Sequence, residues 1–467
     1  MIAVFIPFYI VITLAIGFWA SKRIKTTTDF TLAGKSLSTS FVGVTIFATW
    51  FGSSNVMGTP SYFVTNGISY FVALIISAAF CLVLVGYFYA KKLYKMNIVT
   101  VGDFFQLRYN KKMDTAVSVI MIFAYPHWIA AQFVALAYLF QSVLGIQVEY
   151  GIILGAAIVV LYTYIGGMWA VSYTDMLQSI LIIIGLMLLL VNILDQTGGI
   201  AALFADKPAS FFSPFPQAGL DNWSEYIATI LALCLGAIPA QEVYQRVFSA
   251  KSAKAAVRGT YLAAFVVLVI STVPLIIALG AAQLHPELMA LDNGQAIIPI
   301  MVSQYAGVPL QILFYGALIS AILSTSSGAM LAPATIIGEN LLKPYLPNLT
   351  DKKLLLYTRL SVILVAVVSC YFAFSDMDIV GLLVASLALL LVCVFAPFTF
   401  GLFWKKSSVF GAWSAITTGG SVSFICYLFE TRIDATIYGF IASCLAMVIG
   451  SILRPDKHKE KQWVETI

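Results

Sequence analysis

The sequence predicts an all-α polytopic membrane protein of about thirteen transmembrane helices, and two observations predict it. Of 467 residues, 61% are hydrophobic and only 10% are charged, with a mean hydropathy of +0.95. A soluble protein carries roughly a quarter charged residues, so a soluble enzyme, a nucleic-acid binder and a disordered scaffold are excluded. The second observation is periodic: apolar runs of about twenty residues, the length that crosses a hydrocarbon core, recur along the whole chain. They centre near residues 11, 53, 79, 130, 159, 184, 236, 271, 323, 364, 392, 418 and 443.

The basic residues test that count independently. With the N-terminus outside, the connections at 22–35, 91–112, 246–258, 343–359, 405–406 and 454–461 fall on one side. They hold 24 of the 26 lysines and arginines, leaving Lys207 and Arg432 for the other. A missed or invented span would scramble this segregation, so the C-terminus is expected in the cytoplasm of a multi-pass plasma or inner membrane protein. The first run ends in Lys22, Arg23 and Lys25 without a small-residue cleavage site, and is expected to be retained. The inner connection near 170–174 has no basic residue and is very short. The longest outward loop, about 196–224, contains Pro208, Pro214 and Pro216 and is expected to be amphipathic rather than globular. All six cysteines lie inside apolar segments with no metal-ligand spacing, which makes them packing residues.

Helix breaks locate the chemistry. Glycine and proline inside a span free backbone groups that must find a partner, and so often mark a cavity or a bound ion. Span 2 reads ATWFGSSNVMGTP and span 7 reads LGAIPAQEVYQR. Each has a polar, breakable middle, and five spans of separation gives them opposite directions. Taken singly, such residues kink a helix or allow close packing. Taken as a matched pair, they indicate an inverted repeat whose first helices unwind around a midplane site. The expected division is residues 1–40 for an extra span and its loop, and 41–195 for the first repeat. The loop 196–224 follows, then the second repeat at 225–404 and two accessory spans with a tail at 405–467.

In span 9, Ala321, Ser324 and Thr325 share one helical face, with Ser320, Ser324 and Ser327 in an overlapping stripe. Such a stripe serves close packing or, with unwound carbonyls, supplies the oxygens of a hard-cation site without several buried carboxylates. Asp175 is one of the few carboxylates near membrane depth; it is either functional or an interfacial residue.

Four segments in order, ATWFGSSNVMG, YIGGMWAVSYTDMLQ, IPAQEVYQRVFSAKS and GALISAILSTSSGAM, resemble the sodium/solute symporter family. The likeness runs from DFTLAGKSLS (29–38) to FGLFWKKSSVFGAW (400–413), and is greatest to the high-affinity choline transporter branch. The resemblance implies a LeuT-like 5+5 inverted-repeat core with one span before it and two after. It implies a sodium ion held by the carbonyls of Ala48, Phe51 and Ala321 and the hydroxyls of Ser324 and Thr325. In some relatives it implies a second sodium, at positions matched here by Asp175, Ser324 and Ser327; the next position is Gly328, which brings no side chain.

The solute pocket is expected between spans 2, 4 and 7, lined by Trp50, Asn55, Tyr125, His127, Trp128, Gln132, Gln241 and Glu242. Paired indoles suit a quaternary ammonium, although Ala240 stands where choline carriers place a third tryptophan. Glu242 could hold an ammonium or pair with Arg246 at i+4 as a gate. His127 is a hydrogen-bond donor to solute or a buried histidine satisfied by a carbonyl. The expected function is sodium-coupled import, by alternating access, of an organic cation or zwitterion such as choline or an amino acid. The alternatives are a monocarboxylate, sugar or ureide carrier, and a passive channel. An enzyme is not expected, and neither is a nucleic-acid partner or an obligate protein partner. The expected partners are the solute, sodium and the lipid bilayer.

Overall fold

The computed structural model describes residues 2–290, 294–346, 348–375 and 378–456. Lys457, Lys459 and Lys461 of the expected C-terminal basic cluster lie outside them. Every regular element among the described residues is a helix, apart from one isolated bridge between Leu37 and Ala250.

Eleven of these helices are long and apolar enough to cross a bilayer. Two features of the chain account for the difference from thirteen. The helix Val148–Thr197 runs for 50 residues, about 75 Å if it were straight. It is not straight: Gly167 adopts φ 51° and ψ −163°, a conformation closed to residues with a side chain. The Tyr162 and Thr174 hydroxyls, twelve residues apart, hydrogen-bond to each other, whereas a straight helix would hold them about 18 Å apart. The chain therefore doubles back at Gly167, giving span 5 (148–166) and span 6 (168–197). The turn falls a few residues before the expected 170–174, whose residues are helical and largely buried. The second feature is span 2, divided into Thr39–Trp50 and Thr59–Asn66, neither of which is long enough alone.

The remaining spans follow the expected order. Span 1 is Ile2–Ser21, span 3 Ile68–Lys95 and span 4 Lys111–Leu144. Span 7 is Leu220–Ser249, span 8 Ala253–Leu284, span 9 Val308–Tyr345 and span 10 Asp351–Ala373. Span 11 is Ile379–Phe403, span 12 Val409–Leu428 and span 13 Ala435–Leu453. Side-chain caps set several starts: Ser38 before span 2, Asn110 before span 4 and Ser252 before span 8 each accept an orphan helix amide.

Burial separates core from periphery. The most apolar windows of spans 7 and 4 are 78% and 72% buried, but those of spans 1, 12 and 13 only 28%. The middle spans thus form an interior on which these three pack from outside. The loop after span 6 folds as the short helices Ile200–Ala205 and Ala209–Phe212. Its Phe211 joins Phe63, Ile75, Leu203, Leu275 and Leu279 in a separate apolar cluster over the ends of spans 2, 3 and 8. No globular unit forms in this loop.

Candidate sodium and solute sites

The break in span 2 is where the interior becomes polar. Thr39–Trp50 stops as Phe51 turns to φ −92° and ψ 79°, and the chain resumes in the wide turn Ser54–Gly58. Gly52, between them, has no room for a side chain. A β-carbon there would lie 2.6 Å from Thr325 Oγ1 and 2.8 Å from Gln132 Oε1. Span 9 and span 4 thus grip the break from two sides. The Ser53 amide donates to Gln132 Oε1 at 3.0 Å, and Thr325 Oγ1 donates to the Ala48 carbonyl at 3.2 Å.

Ala48, Phe51, Ala321, Ser324 and Thr325 are all fully buried. The break leaves the Ala48 carbonyl hydrogen-bonded to the Thr325 hydroxyl of span 9, and the five expected ligand residues include no cysteine or histidine. Oxygen-only donors select a hard cation over a transition metal. Ser324 Oγ also donates to Asp175 Oδ1 at 2.6 Å, and Ser327 Oγ donates to the Ser324 carbonyl at 3.0 Å. Asp175 is completely buried within the chain, and its Oδ2 has no hydrogen-bond partner. Nearby in sequence, both side-chain amide atoms of Gln178 are also buried without partners.

Span 7 breaks for a covalent reason. Pro239 brings no N–H, Ala240 is extended at φ −65° and ψ 122°, and the helix restarts as Gln241–Ser249. Glu242 therefore sits in a first turn, where the helix dipole favours a carboxylate. Its Oε1 accepts from Trp50 Nε1 at 3.3 Å and its Oε2 from the Tyr125 hydroxyl. The expected gate pair with Arg246 does not form: Arg246 Nη1 donates to the Glu242 carbonyl at 3.0 Å, and the carboxylate keeps neutral donors only.

Between these breaks lies a cavity of about 50 Å³, room for a few waters. Trp50, Asn55, Trp128, Gln132 and Glu242 line it, as the sequence predicted. Tyr125 stands behind Glu242 rather than in the wall. Gln241 and His127 are elsewhere. Gln241 Oε1 accepts the Val101 amide at 2.7 Å and its Nε2 donates to the Val99 carbonyl at 3.4 Å, which ties span 7 to the helix Val101–Arg108. His127 instead lines a groove with residues of spans 11 and 12, its ring 3.9 Å from the Phe372 ring and tilted 34° to it. The 3.6-residue period already separates it: 125, 128 and 132 share a face, and 127 falls on another.

Sequence reasoning missed Ser54, Thr59 and the leucines Leu383 and Leu387 of span 11, which close the cavity. Ser54 and Thr59 stand in the same polar stretch as Asn55 and were readable. The leucines sit in a continuous apolar run and carry no signal.

Comparison with known proteins decides the family. The model of the sodium:solute symporter family matches residues 30–419. This chain belongs to that family. It is a multi-pass membrane symporter with the LeuT-like fold, coupling sodium to a small organic solute. Among relatives, human high affinity choline transporter 1 is 27% identical over 436 residues, covering 89% of this chain and 74% of the relative. The Bacillus subtilis osmoregulated proline transporter OpuE is 27% identical over 475 residues, covering 96% and 94%. Among solved structures, the substrate-bound outward-open state of a Na+-coupled sialic acid symporter superposes with a TM-score of 0.80. It shares 21% identity and covers 97% of this chain and 98% of the other.

Proposed function

We propose that this symporter imports a small organic cation of the choline type, with its ammonium held at Glu242 between Trp50 and Trp128. The carrying observation is the setting of Glu242. It is a buried carboxylate on the wall of the cavity, it has no ion-pair partner among the described residues, and no lysine or arginine lines that cavity. A buried charge of this kind needs compensation, and an ammonium flanked by two indoles supplies it. The choline transporters among the relatives support the same reading.

A second reading has one observation of its own. Gln132 Nε2 and Ser54 Oγ belong to residues of the cavity wall and are buried without partners. Such donors suit a carboxylate, so a zwitterion such as a betaine or an amino acid would use these groups as well as Glu242. The relative named as a proline transporter favours this variant.

Sodium is assigned to the Ala48 and Phe51 carbonyls, the Ala321 carbonyl and the hydroxyls of Ser324 and Thr325. Bound there, the ion replaces the Thr325–Ala48 hydrogen bond and ties the unwound middle of span 2 to span 9. That fixes Trp50, next to Phe51, and Asn55, four residues further on, and so completes the solute site. The coupling is reciprocal: each ligand raises the affinity for the other by the same factor. A potential of about 100 mV contributes about 2.3 kcal/mol per sodium moved inward. The repeats are taken as 41–195 and 225–404, and the distribution of lysine and arginine supports a cytoplasmic C-terminus in the plasma or inner membrane.

The test is uptake into sealed proteoliposomes carrying the purified chain and an inward sodium gradient. Saturable choline accumulation that stops when potassium or protons replace sodium is expected. Saturable uptake of proline, glucose or a monocarboxylate, with choline ignored, would overturn the choice of solute.

A further inference from the structure

Arg23, just past the end of span 1, is an exposed cation held in an aromatic cage. Its Cζ lies 5.4 Å from the Trp19 ring centre, 5.3 Å from that of Trp169 and 4.9 Å from that of Tyr173, all within cation–π range. Its Nη1 also donates to the Tyr173 hydroxyl. The rings come from two spans that meet here, Trp19 from span 1 and Trp169 and Tyr173 from the start of span 6. They brace one another: Trp169 stacks on Tyr173 at 6.0 Å and 17°, and Trp19 meets Tyr173 edge-on at 5.6 Å and 72°.

The cage orients the guanidinium without neutralising it. Arg23 forms no ion pair among the described residues, and neither do its neighbours Lys22 and Lys25. A guanidinium carries five N–H donors in a rigid fork, and the Tyr173 hydroxyl occupies only one of them. Phosphate is an anion that such a fork binds through paired hydrogen bonds. The surroundings place that phosphate on a lipid. Phe18 and Trp19 are 59% and 53% exposed, and the most apolar window of span 1 is only 28% buried, so this end of the span faces the bilayer. Indoles concentrate where hydrocarbon gives way to headgroups. Lysine and arginine gather on this side of the chain, and basic residues beside a span attract anionic headgroups.

We propose that Arg23, in its cage of Trp19, Trp169 and Tyr173, binds the phosphate of an anionic phospholipid at the junction of spans 1 and 6. Lys22 and Lys25 add positive charge, and Phe18 and Trp19 meet the acyl chains. The inference rests on the membrane-spanning fold and not on the choice of solute.

The test is native mass spectrometry of the purified full chain in detergent, titrated with phosphatidylglycerol and, separately, with phosphatidylcholine of the same acyl chains. The wild-type chain is expected to bind one phosphatidylglycerol about tenfold more tightly than phosphatidylcholine. Arg23→Gln should bring the two lipids within about twofold of each other. Arg23→Lys keeps the charge but has neither the fork nor the stacking plane, and should weaken phosphatidylglycerol binding by about threefold or more. Arg454→Gln removes a cation grouped on the same side, over the single ring of Phe410 at 4.6 Å, and should keep the full preference. Excess inorganic phosphate should leave the lipid bound. A wild-type chain without preference, Arg23→Gln folded with its preference intact, or an equal loss in Arg454→Gln overturns the proposal, as does displacement by inorganic phosphate. If Arg23→Gln does not fold, Arg23→Lys decides, and unchanged phosphatidylglycerol binding in that variant overturns the proposal. Failure of the choline reading would appear in the uptake assay and leave this lipid preference unchanged.

Discussion

Thr325 Oγ1 donates to the carbonyl of Ala48 at 3.2 Å, joining span 9 to the last turn of span 2 just before that helix stops. The contact links two segments far apart in the chain at the point where an ion is assigned. A cation bound there would take up two oxygens, Thr325 Oγ1 and the Ala48 carbonyl, that already lie within hydrogen-bond distance.

Replacing Ser324 and Thr325 together by alanine removes two of the five assigned sodium oxygens. Each contact to a charge is worth about 1.5 kcal/mol, so the sodium concentration for half-maximal uptake should rise about a hundredfold. Sodium titration of the initial uptake rate measures this. An unchanged half-saturation point would move the ion site elsewhere.

Glu242→Gln keeps the shape of the side chain and an acceptor for Trp50 Nε1 but deletes the charge. Loss of one partner from a buried charge pair costs about 2 kcal/mol or more, so affinity for choline should fall at least about thirtyfold. Sodium binding measured without solute should hold. Trp128→Leu removes one wall of the proposed cation box and should cost about three- to thirtyfold in the same assay. A carrier of sugars or monocarboxylates would show neither effect.

Much of this was legible in advance. The spans follow from apolar runs about one bilayer thick, and the unequal distribution of basic residues orders them. The two breaks follow from Gly52, Pro239 and their polar neighbours. What could not be read depends on contacts between distant segments. Gln241 looks like a pocket residue beside Glu242, yet its amide is occupied by the backbone at Val99 and Val101. Arg246 belongs by charge and position with the basic residues of a connection, but Gln241–Ser249 continues span 7 and buries it. The turn between spans 5 and 6 uses a single glycine with left-handed φ, so no polar loop marks it. His127 is a different case, because helical period alone sets it apart from Trp128 and Gln132.

Asp175→Asn tests how the interior carboxylate acts. Asparagine retains an acceptor for Ser324 Oγ but removes the negative charge that this hydroxyl donates to. Ser324 is also an assigned sodium ligand, so the change takes a negative charge from beside the ion. Sodium activation should therefore weaken by about tenfold or more, the effect of about 1.4 kcal/mol. Wild-type sodium kinetics in this variant would show that the carboxylate does not act on the ion site.

Gln241→Ala separates a structural tie from a solute contact. The change leaves the buried Val101 amide without its acceptor and frees the segment that joins span 3 to the helix Val101–Arg108. An unsatisfied buried donor costs about 1–3 kcal/mol, so the purified variant should melt at a lower temperature. Because Gln241 is not in the cavity wall, solute affinity in the folded fraction should stay within about twofold of wild type, less than half a kcal/mol. Competition binding with choline on the monodisperse fraction measures the second quantity, and thermal unfolding measures the first. A large loss of affinity with unchanged melting would return Gln241 to the solute site and imply that span 7 rotates during transport to present it.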